Sequence, residues 1–199
     1  VRSFPEDGSI KGKGMVYDGE VATKLGLKGS PALAEELQIA RDLFILEYTG
    51  GKLHIPTISS SGSVKLIADA KKKGLDVTAS VTLHNLCLTD MALETFDTSF
   101  KVRPPLRTKK DTTALLKGLR NGTIDFVTTD HRPMDIEEKR VEFDNAAYGS
   151  IGLETAFGAL HQLTEDIDET IAYLTKGRER FGIDNPVIKE GALANLTLF

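Results

Sequence analysis

The sequence holds a single cysteine, Cys87, among 199 residues. An intramolecular disulfide is excluded, which fits a reducing compartment and predicts a cytoplasmic protein. No apolar run approaches the ~20 residues of a membrane span, and no cleavable-signal pattern opens the chain. Long basic stretches are missing too. The net charge is −4 with both signs interspersed, so neither nucleic acid nor a membrane surface is an expected partner. The short "KKK" at 71–73 falls at an expected helix end, where cations complement the carbonyl dipole, and reads as a solvated face. Repeats and low-complexity tracts are absent. So is an initiator Met: the chain opens "VRSFPEDG" and stops at "NLTLF" inside an expected strand, which predicts a piece of a longer protein.

What remains is ordinary globular composition, 40% hydrophobic and 27% charged. A compact chain of this size buries about 70% of its unfolded surface, enough for a real core. Residues 1–30 are Gly-rich and polar and read as loop. A helix is expected over 30–49, with Ser30 as cap, Pro31 in the first turn, and Glu35 and Glu36 near the N-terminus. Ala32, Leu33, Leu37, Ala40, Phe44 and Leu46 trace its apolar face, and Gly50 and Gly51 stop it. "KLHIPTIS" reads as a buried strand, "SVKLIADAKKKG" as a helix and "DVTASVTLHNL" as a second strand. The helix "KDTTALLKGLRNG" and the strand "TIDFVTTD" follow. Next come a loop to about 149, helices over 150–163 and 166–177, and a last strand "ANLTLF".

Strands alternating with helices, with crossovers long enough for right-handed βαβ units, predict a parallel sheet. A whole eight-stranded barrel runs to ~250 residues, so the pattern predicts an α/β fold that is the last third to half of a barrel. Chemistry in such folds collects at the C-terminal strand ends. Those ends are residues 57–59, 82–84 and 130–131. The stretch "TTDHRPM" at 128–134 is the strongest candidate, because a buried strand that delivers Asp130 and then His131 is the arrangement a metal hydrolase uses.

Several segments, taken together, resemble the second half of a dihydroorotase, a zinc amidohydrolase of pyrimidine biosynthesis. They are "LGLKGSPALAEELQIARDLFILEYTGGKLHI", "SSSGSVKLIADAKKKGLDVTASVT", "KVRPPLRTKKDTTALLKGLRNGTIDFVTTDH", "EEKRVEFDNAAYGSIGLETAF" and "GALANLTLF". The likeness runs nearly end to end. It implies later strands and helices of a TIM (β/α)8 barrel over 1–190 and, over 191–199, the start of a return strand into a flanking β-sandwich. It also implies two zinc ions on the rim. The family holds them with an HxH pair on the first strand, a carboxylated Lys or an Asp from mid-barrel, two single His residues and one Asp. The HxH pair and the bridging residue are expected before Val1. A metal-bound hydroxide attacks a cyclic amide, and the Asp shuttles the proton.

Position by position, the chain departs from that pattern. The family's HxED reads "FPED", which puts Phe4 at a His ligand position. HxxHxS reads "HIPTIS", with Thr57 at the second single-His position and His54 before it. NPPLR reads "RPPLR", so Arg103 replaces a substrate-contacting Asn. DHAPH reads "DHRPM": Asp130 is kept as catalytic residue and metal ligand, while Met134 replaces a substrate-contacting His. TPHH reads "TLHN", leaving His84 without its neighbour. "AAYGSIG" keeps the frame in which Tyr148 and Gly149 offer backbone groups to substrate. Phe has no lone pair, and Thr is a poor ligand for zinc. The resemblance therefore implies zinc for the family, and weak or no zinc here unless Glu6, Asp7, His54 or His84 substitutes.

The remaining polar residues carry plainer readings. Asp130 either caps the loop after it by accepting backbone N–H groups or keeps a metal role. His131 reads as structural, His84 as hydrogen-bonded within the rim, and His54 as a satisfied core or helix-facing residue. His161 reads as a surface residue and Cys87 as a small buried apolar one. Arg103 either binds an anion or fills the pocket with a salt bridge, with Asp130 as partner. Three functions follow. One is a dihydroorotase-like pseudoenzyme that acts as a structural partner of aspartate carbamoyltransferase or as a homo-oligomer. Another is a working dihydroorotase with an unusual site, turning dihydroorotate into N-carbamoyl-L-aspartate. The third is a related cyclic amidohydrolase such as an allantoinase or hydantoinase.

Overall fold

The computed structural model describes residues 1–194, 196 and 197. In chain order the elements begin with α1 (Gly8–Lys11), β1 (Val16–Tyr17), α2 (Glu20–Leu25), β2 (Gly29–Ser30), α3 (Leu33–Thr49) and β3 (Leu53–Ile55). There follow α4 (Ser61–Lys72), β4 (Val77–Thr82) and α5 (Leu83–Cys87), two 3₁₀ turns (Asp90–Thr95, Thr98–Phe100), α6 (Lys109–Arg120) and β5 (Phe126–Thr128). The chain ends in α7 (Ile136–Lys139), α8 (Ala156–Thr164), α9 (Ile167–Thr175) and α10 (Gly177–Arg180).

The main sheet is parallel, in the order β3-β4-β5. Its register pairs Leu53 with Val77, Ser80 with Phe126 and Thr82 with Thr128. Residues 1–3, read from sequence as loop, lie along the free edge of β3. Arg2 bridges His54 in parallel, the His54 N–H donates to Val1 O (2.9 Å), and the Ser3 N–H donates to His54 O (3.1 Å). The rest of 1–30 is less of a loop than expected, because α1, α2 and the parallel β1–β2 pair occupy it.

Periodicity sets the crossovers. Ser60 caps α4 by accepting the Ser63 N–H (2.9 Å), Ile67 and Ala70 face the sheet, and Gly74 leaves the helix at φ 81°. On α6, Leu115 and Leu119 do the same. These residues join Ile39, Ile55, Ala79, Val81, Val127 and Leu160 in one core between sheet and helices. A smaller cluster of Val16, Val21, Ala22, Leu93 and Phe143 ties together the connections that follow the strand ends.

Helix α3 corrects the sequence reading in two ways. Ser30 does not cap it; Ser30 pairs with Tyr17 in the small sheet, and the helix starts after Ala32. Of the expected apolar face, Leu33, Leu37 and Phe44 are turned outward, as is Tyr48 beside them, while Leu46 is buried as expected. The buried face carries Ala34, Glu35, Gln38, Ile39, Leu43 and Leu46. Apolar residues occupy both sides, and burial of the polar pair is stabilised by their hydrogen bonds, which a hydrophobicity pattern does not register. Strand β4 ends at Thr82 rather than running through His84, because the Thr82 hydroxyl accepts the Asn85 N–H (3.2 Å) and starts α5. The helix expected over 150–163 begins only at Ala156. The strand expected over 194–199 falls partly outside the described residues; Ala194, Leu196 and Thr197 are not in one. Among the described residues no helix is long and apolar enough to cross a membrane.

Candidate functional site

Parallel register brings the ends of β3, β4 and β5 to one rim, where Thr57, His84 and Asp130 lie. Phe4 joins them from the edge segment, two residues beyond Arg2. Thr57 is 8% exposed and sits at φ 53°, a conformation that β-branched residues avoid. Its N–H donates to Ser80 Oγ (3.3 Å), while its buried hydroxyl has no partner among the described residues. His84 corrects an expectation, because its buried Nε2 makes no hydrogen bond among the described residues. Burial pushes its imidazole pKa down to about 4. Asp130 sits at φ 45°. Among the described residues no backbone N–H donates to its carboxylate, so the capping role is not found. Burial raises its pKa, with Arg132 acting in the opposite direction.

Arg103 also corrects the sequence reading. It pairs with Glu6 rather than Asp130, through a two-pronged contact of Nε to Oε2 (3.0 Å) and Nη2 to Oε1 (2.5 Å). Its guanidinium lies 5.1 Å from the centre of the Phe4 ring. Lys11 Nζ reaches the same Glu6 at 3.3 Å and lies 5.5 Å from the Tyr148 ring, with Lys101 Nζ 5.0 Å from that ring. Burial raises the Tyr148 phenol pKa, and Glu6 adds to the shift. The arrangement therefore gathers Phe4, Glu6, Lys11, Lys101, Arg103 and Tyr148 into one cluster. Gly149 is required where it stands: at φ 148°, an added Cβ would meet Arg132 O at 2.4 Å. Met134 is half-buried nearby in the sequence.

The other histidines divide. His54 is a core residue, as read: 4% exposed, 3.0 Å from Thr78 Oγ1 and stacked on Phe126 at 5.1 Å. His131 is structural, its Nδ1 accepting the N–H groups of Gly152 (3.3 Å) and Leu153 (3.2 Å). His161 is half-buried rather than on the surface, against Phe157 and Thr170. Cys87 is exposed rather than buried, because α5 turns it outward from the core that Leu83 and Leu86 enter.

Sequence reasoning missed a buried network beneath the rim. Glu35 accepts the N–H groups of Ser59 (2.8 Å) and Ser60 (3.0 Å), the hydroxyls of Ser59 and Ser63, and Arg107 Nη2 (3.1 Å). The run of serines after β3 was the available signal, since it offers several donors at a helix start.

The donor set does not suit a zinc pair. Phe4 has nothing to donate, Thr57 offers a hydroxyl, Glu6 is engaged by Arg103, Asp7 caps α1, and His54 is held in the core stack. Among the described residues no three His, Cys, Asp or Glu side chains converge to hold a metal ion.

A family model described as Dihydro-orotase-like matches residues 1–63. A dihydroorotase of Thermoanaerobacter sp. (strain X514) is 42% identical over 97% of this chain and 46% of its own length. One of Pelotomaculum thermopropionicum is 43% identical over 100% and 48%. The chain thus spans about half the length of the curated relatives it matches. Among solved structures, a dihydropyrimidinase from Brevibacillus agri NCHU1002 superposes with TM-score 0.77 at 23% identity, covering 92% of this chain and 43% of that one. A dihydroorotase from Saccharomyces cerevisiae in complex with 5-fluoroorotic acid gives 0.67 at 19% identity, covering 77% and 44%. These superpositions establish a shared mixed α/β fold of which this chain forms a part. Identity at the level of the curated relatives, sustained over essentially the whole chain and joined to the family-model match, places the chain in the dihydroorotase-like family.

Proposed function

We propose that the chain is the later part of a (β/α)8 barrel of dihydroorotase type, and that its rim does not support the family's zinc-dependent hydrolysis of dihydroorotate. The Arg103–Glu6 pair over Phe4 carries this reading. A guanidinium is a permanent cation, and it stands beside a position where the family presents a metal ligand. It also occupies both oxygens of the nearest spare carboxylate. A metal ion at that position would face charge repulsion and find no lone pair on Phe4. Of the family ligand positions that fall in this chain only Asp130 keeps a ligand, so with the residues expected before Val1 it could complete one metal site at most and not the pair the family uses.

The barrel assignment is supported by four parallel segments side by side, joined by helical crossovers, and by the greater length of the relatives. The segment at 1–3 leaves a strand edge that further parallel units would cover. With hydrolysis set aside, we assign the chain a structural role in pyrimidine biosynthesis, as a partner of aspartate carbamoyltransferase. Leu33, Leu37, Phe44 and Tyr48 form an exposed apolar stripe on α3 suited to such a contact.

The test is the zinc content of the purified full-length protein after dialysis against metal-free buffer without chelator, followed by an assay of dihydroorotate hydrolysis. Below about a tenth of an equivalent with no turnover is expected; one or two tightly held equivalents with turnover would overturn the reading.

A further inference from the structure

Two lysines beside the rim are spent in an unusual way. Lys139 Nζ donates to three carbonyls: Thr98 O (2.6 Å), Ala147 O (2.9 Å) and Gly149 O (3.0 Å). Lys101, 2% exposed, donates to Phe143 O (2.6 Å) and Asp144 O (3.0 Å) and lies against the rings of Phe143 and Tyr148. Neither forms a salt bridge among the described residues. A buried cation without a counter-ion is costly unless dipoles solvate it. Here the dipoles all belong to two facing stretches, 98–101 and 143–149. Bonds run the other way as well: the Gly149 N–H donates to Lys101 O (3.0 Å), and the Thr98 hydroxyl donates to Lys139 O (2.6 Å). Most side chains between 135 and 145 are exposed, so core packing holds this loop only through Phe143 and Ala146. Burial lowers both ammonium pKa values from the usual lysine range, with Asp144 opposing the shift at Lys101 and Asp97 opposing it at Lys139.

We propose that Lys101 and Lys139 are positioning residues, a pair of ammonium clasps that hold the loop bearing Tyr148 and Gly149 against the rim. The functional consequence rests on the reading of the rim given above; the clasp itself does not. It keeps the loop ordered before any ligand arrives, and each lysine governs its own stretch. Lys139 fixes 147–149, and Lys101 fixes 143–144.

Amide hydrogen exchange on the full-length protein tests this without ligand or turnover. The probes are the N–H groups of Ala147, bonded to Glu138 O (3.0 Å), and of Gly149, with those of Val77–Thr82 in β4 as an internal reference. Lys139→Met should speed exchange at Ala147 and Gly149 about tenfold or more, and Lys101→Met should do so at Asn145 and Ala146, whose N–H groups donate to Glu142 O (2.9 and 3.1 Å), with β4 unchanged. In the unsubstituted chain both ammonium groups should give slowly exchanging side-chain N–H signals, unlike exposed Lys72. Unchanged loop protection in both variants would overturn the proposal. So would an equal loss in β4, because the lysines would then hold the fold rather than the loop.

Discussion

Replacing Arg107 with alanine should cost more stability than any single change on the exposed faces. Arg107 and Glu35 form an ion pair whose side chains are each 3% exposed, with Nη2 to Oε2 at 3.1 Å. Arg107 Nε also donates to Ser59 Oγ (2.7 Å), and its guanidinium lies 5.4 Å from the Tyr17 ring. Breaking a buried pair from one side costs about 3–5 kcal/mol, because the remaining charge stays out of water. Glu35 keeps the N–H groups of Ser59 and Ser60 and the Ser63 hydroxyl, so the lower end, about 3 kcal/mol, applies. For a chain of this length each kcal/mol moves the midpoint by about 2–4 °C, so the expected fall in Tm is roughly 6–12 °C. The chain has no tryptophan, so far-UV circular dichroism is the suitable probe. Arg107→Met should behave similarly. Adding Glu35→Gln to Arg107→Met should recover much of the loss, since the amide oxygen still accepts the two serine N–H groups with no charge left buried. A fall in Tm under about 2 °C for Arg107→Ala, or no recovery in the double variant, would refute the reasoning.

Thr57→Gly should raise stability by about 1 kcal/mol in urea unfolding, since it removes both a β-branched residue at positive φ and an unpartnered hydroxyl. His84→Leu should be neutral or stabilising at pH 7, because the buried Nε2 it removes has no hydrogen-bond partner among the described residues; a loss above about 2 kcal/mol would mean that Nε2 has a partner in solution. Burial lowers the pKa values of His54 and His84 from 6.5 to about 4, so both are neutral in the folded chain. The unfolded chain takes up these protons first, so their contribution is full above about pH 6.5 and is lost as pH falls toward about 4. Denaturation midpoints across that window should fall less steeply in His84→Leu than in the unsubstituted protein.

The alternation of strand and helix was legible because the core strands are short and rich in β-branched and apolar residues and the crossovers carry capping or glycine signals. Residues 1–3 were not, since three residues carry no periodicity and only pairing with His54 makes them part of the sheet. Helix α3 misled because its outer stripe is as apolar as its inner one, and the inner one includes Glu35 and Gln38. At the rim, the sequence located Phe4, Thr57, Arg103 and Asp130 through their motifs. It did not reveal that Arg103 would turn to Glu6, because the two lie far apart in the chain and an acidic partner can come from any loop on the rim. The lysine clasps were invisible for a related reason: their partners are backbone carbonyls, which every residue has.

Thr57 has a consequence for protein engineering. Its backbone is at φ 53°, where histidine is found several-fold more often than the average residue and where threonine fits poorly. The turn after β3 is thus already shaped for an imidazole, and only the side chain is lacking. Phe4 is different, since exchanging it for histidine would set a ligand against a guanidinium. A designer rebuilding a metal centre on this rim would find one ligand position with its backbone in place and another that first requires the removal of Arg103.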